Sequence, residues 1–314
     1  PLQRDVSMKL PFEIGDYVDF YSSLEHATNL GRLFRPDGDP LLPNWRWIPI
    51  GYHGRAGTVV VDGTPIVRPS GQRKAPGASA PQFGPTTQLD IELELGFFTS
   101  VPNALGVPIP VTAALGHIAG IVLVNDWSAR DVQAWEYQPL GPFLGKSFAT
   151  TISPWVVSLE ALEPFRVPAV TQDPAPLSYL AQERRDAYDV HLAVELQTQA
   201  MRDAGAPPFQ ISRTNFRTMY WSMAQQLAHA TANGAVARAG DLFASGTISG
   251  SAPDSYGSLI ELTWRGSNPI ALPSGETRTF LQDGDEVTLR GWCERPGARR
   301  IGFGHARGRI AAPR

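Results

Sequence analysis

The sequence predicts an α+β fold in which β-structure predominates, organised as one domain over residues 1–314. Three observations carry that expectation. Short runs that alternate in polarity, or are apolar throughout, recur along the chain. Glycine and proline number 30 and 28 of 314 residues, above the roughly 12% of average usage and without a collagen period. Helical periodicity is clear in only a few places. A chain of this length buries a full core without disulfides, and 42% hydrophobic with 18% charged residues excludes intrinsic disorder and a coiled coil.

Taken in order, the strand candidates are TVVVDGTPIV at 58–67, LDIELELGFF at 89–98, HIAGIVLVND at 117–126 and DVHLAVELQ at 189–197. Further on, SLIELTW at 258–264, DEVTLRGWC at 285–293 and RIGFGHARGRI at 300–310 each follow a Gly or Asp-Gly turn signal, so the C-terminal half reads as mostly β. A helix is expected from Ser128, with Asp131 at capping-box spacing, to about Tyr137. The best helix is 214–234, where Phe216, Met219, Met223 and Leu227 make an apolar stripe and Gly234 supplies the stop.

A net charge of -3 gives no electrostatic footprint for nucleic acid or an anionic membrane. The single cysteine, Cys293, cannot form an internal disulfide, and no apolar run reaches a membrane span, which fits a cytoplasmic protein. The first residues, PLQRDVSMKL, have no initiator Met and no signal-peptide layout; a longer polypeptide is expected upstream. Several motifs fail. GPFLGKS at 141–147 has three residues between its glycines where a P-loop has four, there is no G-x-S-x-G elbow, and no two of the six histidines are four apart. A metal site would therefore use oxygen ligands and a hard cation.

Five groups of residues could carry chemistry. In LDIELEL the strand period puts Asp90, Glu92 and Glu94 on one face, which is either a solvated face or one neutralised by a cation. Asp126 stands where an apolar strand gives way to a helix, and Arg130, Gln133 and Tyr137 follow at helical spacing, so a cation, an amide and a phenol share its face. The chain holds 24 Arg and only 3 Lys, so Lys146, isolated among Gly, Pro and aromatics, is an informative point charge. DYVDFYSSLEHATNLGRLFR packs Asp16, Asp19, Tyr21, His26, Asn29 and Arg35 into twenty residues, and Glu261, inside an apolar strand, wants a partner such as a histidine.

These stretches resemble the fumarylacetoacetase family. DFYSSLEHATN, LPNWRWIPIGYHGR, LDIELEL, NDWSARDVQAWEYQPLGPFLGKSF, TTISPWVV, SGTISG, DGDEV and RIGFG all read like that family in its order and approximate spacing. The resemblance implies the family's β-rich mixed sandwich or roll and a homodimer. It implies hydrolysis of the carbon-carbon bond of a β-diketo acid, 4-fumarylacetoacetate, in tyrosine and phenylalanine catabolism. By the same resemblance, Asp19, Glu92, Glu94 and Asp126 match ligands of Ca²⁺, replaceable by Mg²⁺ or Mn²⁺, which removes Asp90 from the acid set. His26 matches the catalytic base, oriented by Glu261, and Arg130, Gln133 and Lys146 match the groups facing developing negative charge. Tyr21, Arg35, Gln133, Tyr137 and Thr247 match substrate contacts, with Tyr52 nearby. Asp126, Lys146 and Thr150 match a structural Mg²⁺ site to which Lys146 gives its backbone carbonyl. The SH3-like barrel that precedes the domain in full-length members is absent from these residues. Two alternatives stay open: another activity of the wider superfamily, such as acylpyruvate hydrolysis or keto-acid decarboxylation, and a non-catalytic metal-binding module.

Overall fold

The computed structural model describes residues 6–183 and 185–314. Two sheets hold most of the core. The first has seven strands in the order Gly51–His53, Tyr17–Phe20, Leu242–Ala244, Leu93–Thr99, Ile118–Asp126, Thr150–Ile152 and Val59–Val61. It is mixed: Tyr17–Phe20 runs parallel to Leu242–Ala244, and Thr150–Ile152 runs parallel to Val59–Val61, while the other pairs are antiparallel. The second has five strands, Phe209–Asn215, His191–Gln197, Glu286–Cys293, Ile301–Ala311 and Ile66–Val67. The α+β, mostly β expectation is borne out.

The central strands Leu93–Thr99 and Ile118–Asp126 explain why the core sits between the sheets. Apart from Glu94, Thr99, Asn125 and Asp126 their residues are apolar, and all but one are buried, as expected of strands covered on both faces. Gly291 lies at the meeting of the sheets, where an added Cβ would come to 3.0 Å from Leu123 of the first sheet and 3.3 Å from Leu192 and Phe303 of the second. Interiors packed this closely leave no room for a methyl group without movement of a neighbour. Trp127, fully buried, lies against Gly308 of the second sheet and donates its indole N–H to Thr151 Oγ1 of the first at 2.8 Å.

Besides the element that carries Glu261, four expectations need correction. The run 58–67 is two strands in different sheets, broken at the turn through Gly63, whose φ of +85° suits a residue without Cβ. The run 89–98 is also two strands, Leu89–Asp90 and Leu93–Thr99, and the break removes Asp90 from the row of Glu92 and Glu94; burial of the whole stretch removes the solvated-face reading. The helix after Asp126 spans Arg130–Glu136 with Ala129 at its N-cap, because Ser128 Oγ bonds the Asp126 carbonyl and Asp131 accepts from Thr86 and Thr87. The expected helix over 214–234 is confined to Met223–Thr231, entered by a Ser222–Gln225 capping box; Phe216 and Met219 are buried from the segment before it.

Glu261 is the most consequential correction. SLIELTW is a short helix, Leu259–Leu262, and not a strand. Alternation over so few residues does not separate the two. Among the described residues, no helix is long and apolar enough to cross a membrane.

Candidate active site

Strand register brings four acids together. Asp126 ends its strand, and its N–H bonds the carbonyl of Glu92 at 3.2 Å, while Glu94 pairs with Val124 one step further along. Asp19 arrives by another route: it is level with Ala244, which is level with Gly96. Asp19, Glu92, Glu94 and Asp126 are all buried, each offering a carboxylate oxygen within 4.8 Å of the others.

Two cations answer this charge on one side. Lys146 Nζ lies 2.6 Å from Glu92 Oε2 and 2.7 Å from Asp126 Oδ2, and Arg130 Nη1 lies 2.7 Å from Glu92 Oε1. Against the burial that would raise it, Lys146 and Arg130 hold the Glu92 carboxyl below its usual range. The other side is poor in donors. Among the described residues, Glu94 Oε2 accepts only the Gly246 N–H, at 2.8 Å, and Asp19 Oδ1 and Glu94 Oε1 have no partner. Burial first, and then Asp126 for Asp19 and Asp19 for Glu94, push both carboxyls well above their ordinary values. Buried carboxyl oxygens facing one another without donors fit a hard divalent cation bound through oxygen.

The second group lies on the helix Leu24–Phe34, whose N-cap Ser23 accepts from the His26 N–H. His26 Nδ1 is 2.6 Å from Glu261 Oε2. Glu261 also accepts from Asn29 Nδ2 at 3.0 Å, Ser249 Oγ at 2.9 Å and Ser258 Oγ at 2.7 Å. Burial would raise its carboxyl, but His26, Asn29 and Ser258 hold it below its ordinary value. An ionised carboxylate only accepts, so the imidazole proton sits on Nδ1 and Nε2 is left as the basic nitrogen. The Tyr21 ring meets His26 edge-on, with centroids 5.3 Å apart.

Tyr21, Arg35, Arg130, Gln133 and Tyr137 line a cavity of about 130 Å³. Arg130 gives Nε to Asp90 at 2.8 Å and Nη1 to Glu92 and to Gln133 Oε1, leaving Nη2 without a partner among the described residues. Gln133 thus accepts through its oxygen and keeps its amide N–H groups free to donate. Thr247 is buried with an unpartnered hydroxyl. Thr150 pairs with Asp126 in the ladder, its Oγ1 3.4 Å from Asp126 Oδ1, and the Lys146 ammonium is taken up by carboxylates. On a different side, Tyr52, Arg55, Asp126 and Lys146 border a second cavity of about 370 Å³.

The sequence reading missed several contributors. Ser249 and Ser258 join Asn29, a member of the dense N-terminal group, around Glu261, and no local pattern announces the two serines. Tyr52 was expected only near the site; its hydroxyl lies 2.9 Å from Asp19 Oδ2 and 3.0 Å from Asp126 Oδ2, and burial and Asp126 raise its phenol, which stays a donor.

The model of the fumarylacetoacetate (FAA) hydrolase C-terminal family matches residues 17–311. The chain is 53% identical to the fumarylacetoacetase of Homo sapiens over 308 residues, covering 98% of this chain and 72% of that protein. It is 52% identical to the fumarylacetoacetase of Arabidopsis thaliana over 305 residues, covering 97% and 71%. Among solved structures it is similar to a fumarylacetoacetate hydrolase from Exiguobacterium antarcticum, with TM-score 0.55 and 18% identity over 97% of this chain and 78% of that one. A 5-carboxymethyl-2-hydroxymuconate delta-isomerase from Mycobacterium smegmatis gives TM-score 0.56 and 16% identity over 99% and 84%; at such identities these two speak for the fold alone.

Proposed function

The chain belongs to the fumarylacetoacetate hydrolase family, and on that premise we propose that it hydrolyses 4-fumarylacetoacetate to fumarate and acetoacetate. The observation that carries the reading is the buried His26–Glu261 pair, with Glu261 held by three further donors, beside a buried acid quartet. A metal-binding module needs the acids but has no use for an oriented base.

In this reading His26 Nε2 takes a proton from a water that attacks one carbonyl of the β-diketone, help worth roughly 10² to 10⁴ in rate. Glu261 fixes the imidazole and balances the imidazolium that forms. The tetrahedral oxyanion is met by Arg130, Gln133 and Lys146, where losing one donor costs about 10² to 10³ in kcat. Collapse breaks the carbon-carbon bond, the electron pair leaves as an enolate, and the imidazolium returns its proton to that carbon. Arg35 pairs with a substrate carboxylate, and Tyr21, Tyr137 and Thr247 orient the rest. A divalent cation held by Asp19, Glu92, Glu94 and Asp126 supplies Lewis-acid polarisation of the diketone oxygens when bound.

The same proposal includes Ca²⁺, or Mg²⁺ or Mn²⁺, at the quartet, a structural Mg²⁺ at Asp126, Lys146 and Thr150, a homodimer and a cytoplasmic role in tyrosine and phenylalanine catabolism. It takes residues 1–314 as one catalytic domain. The test is loss of diketone absorbance on purified protein, before and after chelation and cation re-addition. Turnover abolished by chelator and restored by cation supports the proposal; turnover of an acylpyruvate instead of the diketone moves the activity elsewhere in the superfamily.

A further inference from the structure

One buried charge has no part in the chemistry above. Asp90 is fully buried and lies two residues before Glu92, yet it is outside the acid quartet. Its Oδ1 accepts the N–H of Leu259 at 2.7 Å, and its Oδ2 accepts the N–H of Ile260 at 3.0 Å. These are the first two residues of the helix Leu259–Leu262 that carries Glu261. Oδ2 also accepts from Arg130 Nε at 2.8 Å.

The helix needs this outside acceptor. The first N–H groups of any helix have no partner within it, and the N-cap residue here, Ser258, makes no capping bond because its hydroxyl goes to Glu261 Oε2. A serine that would ordinarily cap the helix is committed to the carboxylate, and Asp90 caps from 169 residues away in sequence. The same carboxylate sets the guanidinium: with Nε on Asp90 and Nη1 on Glu92, Nη2 is the unpaired donor of a residue that lines the cavity.

We propose that Asp90 is a positioning residue that registers the two halves of the site against each other, the Glu261-bearing helix that orients His26 and the Arg130 guanidinium beside the cavity. The proposal rests on the reading of His26 as base and Arg130 as oxyanion donor. One anchor serves both, so a disturbance at Asp90 moves base and donor together, and a misplacement of about 1 Å costs on the order of 10²-fold in rate.

The test is Asp90→Asn in the cation-loaded full chain. The amide keeps the size but turns one acceptor into a donor, so either the Leu259 and Ile91 side or the Ile260 and Arg130 side faces N–H against N–H. A fall in kcat of about 10²-fold, with KM within about threefold of the unsubstituted protein, supports the proposal, as does a shift of the His26 Nδ1 proton resonance, which needs no turnover. Unchanged kcat, or a kcat loss explained by a reduced folded fraction in thermal unfolding, overturns it. Should Asp90→Asn not fold, Asp90→Glu keeps charge and acceptors but displaces them by one methylene; the same kcat-specific loss is expected, and unsubstituted kcat overturns the proposal. Absence of fumarylacetoacetate turnover in the unsubstituted protein overturns the substrate reading alone, whereas an unmoved His26 Nδ1 proton in Asp90→Asn overturns the tie itself.

Discussion

The acid quartet and Glu261 are both buried carboxylate sites, and they are built on opposite rules. Glu261 is surrounded by donors: His26, Asn29, Ser249 and Ser258 all reach it, and its carboxyl is held low despite burial. Asp19 and Glu94 face other acids, keep an oxygen each without a partner among the described residues, and are pushed up by burial and then by a neighbouring carboxylate, Asp126 for Asp19 and Asp19 for Glu94. A satisfied carboxylate fixes a neighbour in place. Carboxylates that repel in a buried site store an affinity for a cation, because only added positive charge relieves them.

The largest expected effect separates the two. His26→Ala should lower kcat by roughly 10² to 10⁴ and leave cation affinity unchanged, measured by steady-state kinetics and calorimetric titration on one preparation. Lost cation binding would show that the two regions are one unit. Glu94→Gln runs the other way. It should weaken cation binding by more than the 10- to 100-fold that a partner outside the ligand shell is worth. The chelated variant should nonetheless melt higher, by about 2–4 °C for each kcal/mol of repulsion relieved, as read by thermal unfolding with chelator present.

Opposite shifts give opposite pH dependence. The Asp19 and Glu94 carboxyls are raised in the fold, so the folded protein binds more protons than the unfolded chain and stability falls as pH rises from the ordinary carboxylate range through their folded values. Glu261 is lowered, so its contribution is present above its unfolded value and is lost as pH falls through its folded one. Denaturant unfolding of the chelated protein should show stability increasing as pH is lowered toward the ordinary carboxylate range, with the rise diminished in Glu94→Gln. Cation binding displaces those protons, so affinity should increase with pH.

Which parts of these sites were legible in the sequence follows the same division. Asp19, Glu92, Glu94 and Asp126 could be placed because charged side chains inside apolar strands are conspicuous, and their motifs resemble a known family. Asp90 sat in the same alternating run; the family resemblance leaves it out of the acid set, and the strand break after it shows why. Glu261 was singled out on a strand that is a helix, since the cap that makes the helix possible comes from Asp90, and no local pattern encodes a partner that distant. Asn29, Ser249 and Ser258 are uncharged residues whose role exists only once the chain has folded. The helix at 223–231 was legible in kind and overextended at its start, because Phe216 and Met219 obey the same apolar period while lying outside it.

The smallest effects compare the loss of one hydroxyl in each region. Tyr52→Phe removes a donor that lies against both Asp19 and Asp126; a phenol has one proton, so it relieves only one carboxylate at a time, and the quartet has few other donors. Cation affinity should fall about tenfold, the lower end for partners that orient ligands. Ser249→Ala removes one of several donors to Glu261, and the remaining Nδ1, amide and hydroxyl contacts still hold the carboxylate. Because they do, its effect on kcat should stay near about threefold, the low end of what one ordinary hydrogen bond is worth. Equal effects of the two substitutions, each measured on both cation affinity and kcat, would remove the distinction, because donor supply would then not decide which buried carboxylate binds a cation and which orients a base.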